Sequence, residues 1–206
     1  MKSKDFKIYI KNITAAVKAN SRFTTLVLLF LISMIIGSLL VKNVDNSSLK
    51  SLISIYSDKR INQSVLSTFF SSLWSALPLF VIVFFLGFYP LGVPAIYLAP
   101  IYKGLGTGLT MGYLYNVCGL EGIVYCFILI VPATFIYTMT LIFSCKESIS
   151  LSKLLFIELT PKAKKTNLFD EVKLYFKRYF VLLLPIILSC IVDLVLTVSF
   201  ARFFVF

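Results

Sequence analysis

The chain has 206 residues, of which 59% are hydrophobic and only 14% are charged. Soluble globular domains contain about 45–50% apolar residues, so this composition excludes an ordinary soluble protein and indicates a membrane protein. The formal net charge of +11 does not indicate nucleic-acid binding, because the Lys and Arg residues flank the apolar segments, as membrane topology requires. We expect one all-α, polytopic membrane domain over residues 1–206, without a nucleic-acid partner.

The first 22 residues are basic and carry apolar side chains at helical spacing. These apolar residues are Phe6, Tyr9, Ile10, Ile13 and Val17. Their spacing places them near one face of a helix, a pattern typical of an amphipathic helix that lies in the membrane interface. The sequence therefore predicts an N-terminal amphipathic helix ahead of the first membrane span.

Five apolar segments are long enough to cross a bilayer, which needs about 20 helical residues. They are residues 23–41, 66–88, 91–115, 119–144 and 180–201. Residues 145–178 are polar and mixed in charge and contain a Thr160-Pro161 break between two helical patches, so they are predicted to form the main soluble loop. Because of Pro132, the sequence leaves open whether residues 119–144 form one kinked span or two half-helices.

The distribution of Lys and Arg predicts the orientation, because cytoplasmic segments retain the excess of positive charge. With five spans and a cytoplasmic N-terminus, residues 1–22 hold six basic residues and the 145–178 loop holds eight, whereas the outer loop 42–65 holds four. This count favours a cytoplasmic N-terminus and a cytoplasmic 145–178 loop, and it places the C-terminal tail outside.

Two ionisable residues interrupt the predicted spans, Lys103 in the third and Asp193 in the fifth. An ionisable side chain at the centre of a bilayer costs about 2.5–3.5 kcal/mol on insertion scales, so such a residue marks a functional site. Lys103 and Asp193 lie at similar depths, which predicts an intramembrane ion pair. The alternative for Lys103 is a side chain that reaches the interface from the end of a helix broken by proline.

Glycines and prolines shape the third and fourth spans. Gly104, Gly108 and Gly112 recur at every fourth position, so they share one helix face, the glycine face, on which another helix can pack closely. The spacing leaves open whether that helix belongs to this chain or to a second subunit in a homo-oligomer. Helix breaks are predicted at Pro94, Pro100 and Pro132.

The catalytic repertoire of the chain is thin. It has no histidine, the commonest acid–base residue and metal ligand. Its cysteines, Cys118, Cys126, Cys145 and Cys190, lack the CxxC spacing of a metal or redox site. The Gly104-Leu-Gly-Thr-Gly run lies inside an apolar span rather than between a strand and a helix, so it is not a nucleotide-binding loop. We therefore expect no catalytic residue, no metal and no cofactor, and a protein that is not an enzyme.

The segment from Gly92 to Gly122, GVPAIYLAPIYKGLGTGLTMGYLYNVCGLEG, resembles the central signature of stage II sporulation protein M. In that family a G-[LV]-P segment leads to a Lys-Gly pair inside an apolar helix, followed by G-x-x-x-G-[FY] and a G-[LM]-x-G turn. Asp193 falls near the acidic residue that the family carries in its last span. The chain departs from the family at Val131 to Thr134, where Val-Pro-Ala-Thr replaces Leu-Pro-Gln or Leu-Pro-His, and after Asp193, where Ser-Pro is absent.

The resemblance implies a non-enzymatic scaffold in the bacterial cell membrane, similar to the engulfment anchor of endospore formation. Its partners would be membrane lipids and other membrane proteins, membrane-anchored peptidoglycan hydrolases among them, with partner helices bound through the glycine face. The alternative is a permease-like subunit of an exporter that works with a separate ATPase, because broken helices and a charged residue at depth also occur along translocation paths.

Overall fold

The structure, a computed structural model, describes residues 21–41, 65–159 and 168–200. The predicted N-terminal amphipathic helix, most of the outer loop and the C-terminal tail lie outside these residues. Every element within the described ranges is helical. The elements are α1 (Ser21–Leu40), α2 (Val65–Leu86), α3 (Val93–Tyr125), a π-helical segment (Cys126–Ile130), α4 (Val131–Glu158) and α5 (Leu168–Phe200).

Four helical stretches of the described residues are long and apolar enough to cross a membrane. They are Ser21–Leu40, Phe69–Leu86, Gly119–Glu158 and Leu168–Ser199. The chain is therefore an all-α, polytopic membrane protein. The first part of α3, which holds the third predicted span, is less apolar because Lys103 and several glycines and threonines lie within it. The total of five crossings stays a prediction.

Gly119 reverses the direction of the chain within α3. Its φ of 57° and ψ of −129° lie in a region that glycine adopts far more readily than other residues. Residues before and after this turn meet in antiparallel order. Tyr113 shares a buried cluster with Cys126, and the thiol of Cys145 lies 3.9 Å from the carbonyl oxygen of Ile96. The first part of α3 therefore forms an antiparallel hairpin with the π-helical segment and α4.

Two of the predicted helix breaks do not interrupt α3. Pro94 lies in its first turn, where the missing backbone N–H has no helical acceptor to lose. The helix then continues through Pro100. Pro100 deprives the carbonyl of Ile96 of its usual donor, and the Cys145 thiol donates to that carbonyl instead.

The third predicted break, at Pro132, widens the helix without ending it. The π-helical segment precedes Pro132, and at its end the backbone N–H of Val131 donates to the carbonyl of Cys126. A π-turn accommodates a proline that would clash with the carbonyl four residues earlier in a regular α-helix. Residues 119–144 therefore form one continuous helical run rather than two half-helices.

Residues 145–178, predicted as the main soluble loop with two helical patches, are helical over most of the part that the structure describes. Helix α4 continues to Glu158 and α5 begins at Leu168, so the described parts of this segment are helical. The start of this segment packs inside the bundle, because Ser148 and Ser152 are buried between helices. A hydroxyl that finds a hydrogen-bond partner is tolerated in such a buried position. The cytoplasmic location of this segment stays a prediction.

Helices α1 and α3 run parallel to each other. Gly104 of α3 faces Ser33 of α1, and Gly112, two turns later, faces Ser38. Positions in both helices therefore advance together along the contact.

Helix α5 runs antiparallel to both α2 and α4. Between α2 and α5, Ser72 contacts Asp193 and the later Phe84 contacts the earlier Tyr175. Between α4 and α5, Ser144 contacts Tyr179 and the later Ser148 contacts the earlier Tyr175. Together with the hairpin at Gly119, these contacts give α1, α3 and α5 one direction across the bundle and α2 and α4 the opposite one.

Candidate functional site

Lys103 projects from α3 towards α4 in the interior of the bundle. Its Nζ lies 4.5 Å from the centroid of the Tyr137 ring. This distance allows a cation–π attraction, which reaches about 2 kcal/mol where the pair is shielded from water. The ring therefore replaces part of the hydration that the ammonium group loses inside the bundle.

Asp193 of α5 is held by a hydroxyl group from α2. Ser72 donates a hydrogen bond of 2.6 Å to Oδ2 of Asp193, and a bond to a charged acceptor is stronger than one between neutral groups. The carboxylate also attracts the ammonium group of Lys103. Within the described part of the chain, however, no contact of 4 Å or less joins Lys103 to a carboxylate. Lys103 and Asp193 thus attract each other without a direct salt bridge, and a functional ion pair between them stays a prediction.

Tyr137 completes this group of side chains. Its hydroxyl donates a buried hydrogen bond of 2.9 Å to the carbonyl oxygen of Ala76 on α2. Ser72, Lys103, Tyr137 and Asp193 form what we call the intramembrane cluster, with one side chain from each of α2, α3, α4 and α5. Its interactions tie these four helices together.

Two members of the cluster could not be found by sequence analysis. Ser72 and Tyr137 are neutral, and a single hydroxyl in an apolar span carries no signal of its own. Position offered the only hint, because Tyr137 lies on the predicted span that follows Lys103. The contact between Lys103 and Tyr137 could not be predicted without knowing that their helices are antiparallel.

Helix α1 covers the glycine face of α3. A Cβ atom added at Gly104 would lie 2.6 Å from the carbonyl oxygen of Phe30, and one added at Gly112 would lie 2.7 Å from that of Ser38. Gly108 meets the backbone of α1 between these two points. The glycine face is therefore occupied by a helix of the same chain, and with α1 in this position neither a second subunit nor a partner helix can use it.

A second hydrogen-bond network, which sequence analysis missed, lies where α4 and α5 meet the turn between α2 and α3. The hydroxyl of Ser148 is 3.0 Å from that of Tyr175 and 2.6 Å from that of Tyr179. Ser152 donates a bond of 2.6 Å to the carbonyl of Tyr89 in the turn. These buried contacts fix the turn against the last part of α4.

The chemistry of these groups is hydrogen bonding and charge attraction between helices. Cys126, Cys145 and Cys190 are buried, as expected for small apolar packing residues. In residues 21–41, 65–159 and 168–200, no three His, Cys, Asp or Glu side chains are arranged to hold a metal ion. A direct salt bridge of 2.6 Å joins Arg178 and Glu147, and it lies at the surface of the α4–α5 pair.

Comparison with known proteins identifies a family for this chain. A family model described as Stage II sporulation protein M matches residues 26–197. The matched range includes the intramembrane cluster, the glycine face and nearly all of the five helices. No curated protein and no solved structure matches the chain.

Proposed function

Because the chain belongs to the stage II sporulation protein M family, we propose that it is a non-enzymatic membrane scaffold that recruits peptidoglycan hydrolases during engulfment in endospore formation. Family membership and the apolar helices support a sporulation-related, multi-pass membrane protein. The proposed orientation has the N-terminus in the cytoplasm, as the distribution of Lys and Arg predicts.

The observation that best supports the scaffold role is that both charged side chains inside the bundle interact with neighbouring helices. Ionisable residues within membrane spans usually serve either a transport path or the packing of the bundle. Here the ammonium group of Lys103 contacts an aromatic ring, and Asp193 accepts a hydrogen bond from Ser72. Both charges thus join helices to one another, which suits a rigid body that presents surfaces to partners.

The surface that partners would use differs from the one expected from the sequence. Since α1 covers the glycine face, we place partner contact on the opposite, outer face of α3. Tyr102 on this face is 72% exposed, and a Cβ atom added at Gly106 would meet no atom within 4 Å. This outer face is the part of the family signature that no described helix covers.

In-membrane crosslinking in an endospore-forming host tests the proposal. A photo-crosslinking amino acid at Tyr102 of the full chain should capture a membrane-anchored peptidoglycan hydrolase. The same amino acid at Ile96, which is fully buried in the same helix, should capture none. Capture of lipid alone at Tyr102 would contradict contact through this face. Absence of hydrolases from everything that co-purifies with the native protein would contradict the recruitment role itself.

The same experiment addresses the exporter alternative. One observation favours it: two opposite charges lie in the interior of the bundle, and the adjoining helical run contains a π-turn, a feature that is frequent at functional sites. An exporter subunit would co-purify with a nucleotide-binding ATPase. Recovery of such an ATPase in place of hydrolases would replace the scaffold proposal.

A further inference from the structure

The centre of the bundle has more hydrogen-bonding groups than its side chains satisfy. The Lys103 ammonium carries three N–H donors. It contacts the face of Tyr137 and is attracted by Asp193, yet within the described ranges its Nζ makes no hydrogen bond. A cation with open donors inside a bilayer is costly unless a polar molecule accepts from it.

Thr197 adds a second group without a partner. It lies one helical turn after Asp193, on the same face of α5. Only 4% of the residue is exposed, and its Oγ1 finds no hydrogen-bond partner among the described residues. A buried hydroxyl without a partner costs about 1–3 kcal/mol.

Thr140 shows how a threonine in this bundle can satisfy its hydroxyl within its own helix. It is also 4% exposed, and its Oγ1 donates a bond of 2.8 Å to the carbonyl of Ile136 in the preceding turn. Thr197 has the same burial and the same kind of helical backbone, but its hydroxyl does not make this bond. Its Oγ1 is therefore available to a ligand.

The arrangement of the charged groups of Lys103 and Asp193 indicates what this ligand is. Lys103 and Asp193 attract each other, but no contact of 4 Å or less joins them, and polar groups that do not touch directly can be joined by water. A buried water molecule needs two to four polar partners. The ammonium donors, the carboxylate and the Thr197 hydroxyl together provide them.

We propose that ordered water bridges Lys103 Nζ to the carboxylate of Asp193 and reaches Oγ1 of Thr197, so that the intramembrane cluster is a hydrated binding site inside the bilayer. This site is independent of whether the protein recruits hydrolases. It makes the charged pair a solvent-separated one, in which water satisfies the donors that the side chains leave open.

Water-edited solid-state NMR of the full chain in lipid bilayers tests this site. With threonine labelled by ¹³C, the signals of Thr197 and Thr140 are identified by their loss in the variants Thr197→Val and Thr140→Val. We expect magnetisation to pass from water to Thr197 several-fold faster than to Thr140. Equal, slow transfer to both threonines would overturn the proposal.

A second variant separates bridging water from water at the nearby membrane surface. The double variant Lys103→Met, Asp193→Asn removes both charges while it keeps similar side-chain sizes. If water is held between the charges, transfer to Thr197 should fall to the rate of Thr140. Transfer that stays fast in the folded double variant would assign the water to the surface and overturn the bridge. If this variant does not fold, the transfer rates of Thr197 and Thr140 in the unaltered chain are the test of the proposal.

Discussion

Ser72 and Asp193 lie 121 positions apart in the sequence, yet the hydroxyl of Ser72 donates a 2.6 Å hydrogen bond to the Asp193 carboxylate. The bond joins α2 to α5 inside the bilayer, where water is scarce and an unpaired carboxylate is expensive. It therefore makes a long-range contact in the fold depend on a single small side chain.

Removal of this hydroxyl should loosen the bundle measurably. We expect Ser72→Ala to lower the free energy of unfolding by about 1–2 kcal/mol, and less in a chain that already carries Asp193→Asn. Unfolding in detergent micelles measures both values. Ser75→Ala is the control, because Ser75 is exposed on the same helix. Additive effects of the Ser72 and Asp193 substitutions would show that the bond contributes nothing.

Loss of one charge should cost more than loss of both. Lys103→Met leaves Asp193 as an uncompensated charge inside the membrane, so we expect a lower folded yield and a lower unfolding temperature. Addition of Asp193→Asn should restore part of the loss, because the two charges attract each other. The double-mutant cycle measures this coupling. A double variant as unstable as the sum of the single variants would rule the coupling out.

The close contact between α1 and α3 predicts that a larger side chain at Gly108 is destabilising. A Cβ atom at Gly108 would lie 2.9 Å from the carbonyl carbon of Met34, so Gly108→Leu must push the two helices apart. We expect a loss of at least about 1–3 kcal/mol, the usual cost of overpacking. Gly106→Leu, two positions away on the open face, should cost far less. Equal losses at both positions, measured by thermal unfolding, would mean that α1 does not pack on the glycine face.

The turn at Gly119 leads to a prediction about backbone conformation. Neither Gly119 nor Gly106 has an atom within 4 Å of an added Cβ, but only Gly119 has a positive φ. We expect Gly119→Ala to cost about 1–3 kcal/mol through strain alone. Gly106→Ala, in a regular helix, should be neutral or stabilise by up to about 1 kcal/mol. If both substitutions prove harmless, the sharp turn between the two helices does not require this conformation.

The sequence predicted the features that depend on local pattern. Apolar runs indicate membrane helices because a bilayer demands length and hydropathy. The spacing of Gly104, Gly108 and Gly112 predicted a close helix contact, because glycines one turn apart expose backbone. It did not identify α1 as the partner, since a flat helix surface accepts any helix of suitable shape.

The remaining features depend on how distant segments meet. The sequence does not show that Ser148 and Ser152 are buried, because they lie in a polar segment of mixed charge. Their partners, the Tyr179 hydroxyl and the Tyr89 carbonyl, come from other segments. Whether a serine hydroxyl is buried depends on its hydrogen-bond partners, and these are known only once the arrangement of the helices is known.

The parallel pairing of α1 with α3 has a consequence for biogenesis. Ribosomes add roughly 5–20 residues per second, so α1 enters the bilayer seconds before the glycine face of α3 has been made. During that interval Ser33 and Gly37, which α3 later covers, face lipid or the insertion machinery. Helix α1 therefore cannot complete its packing until α3 has been synthesised, so the helices do not pack in the order in which they are translated.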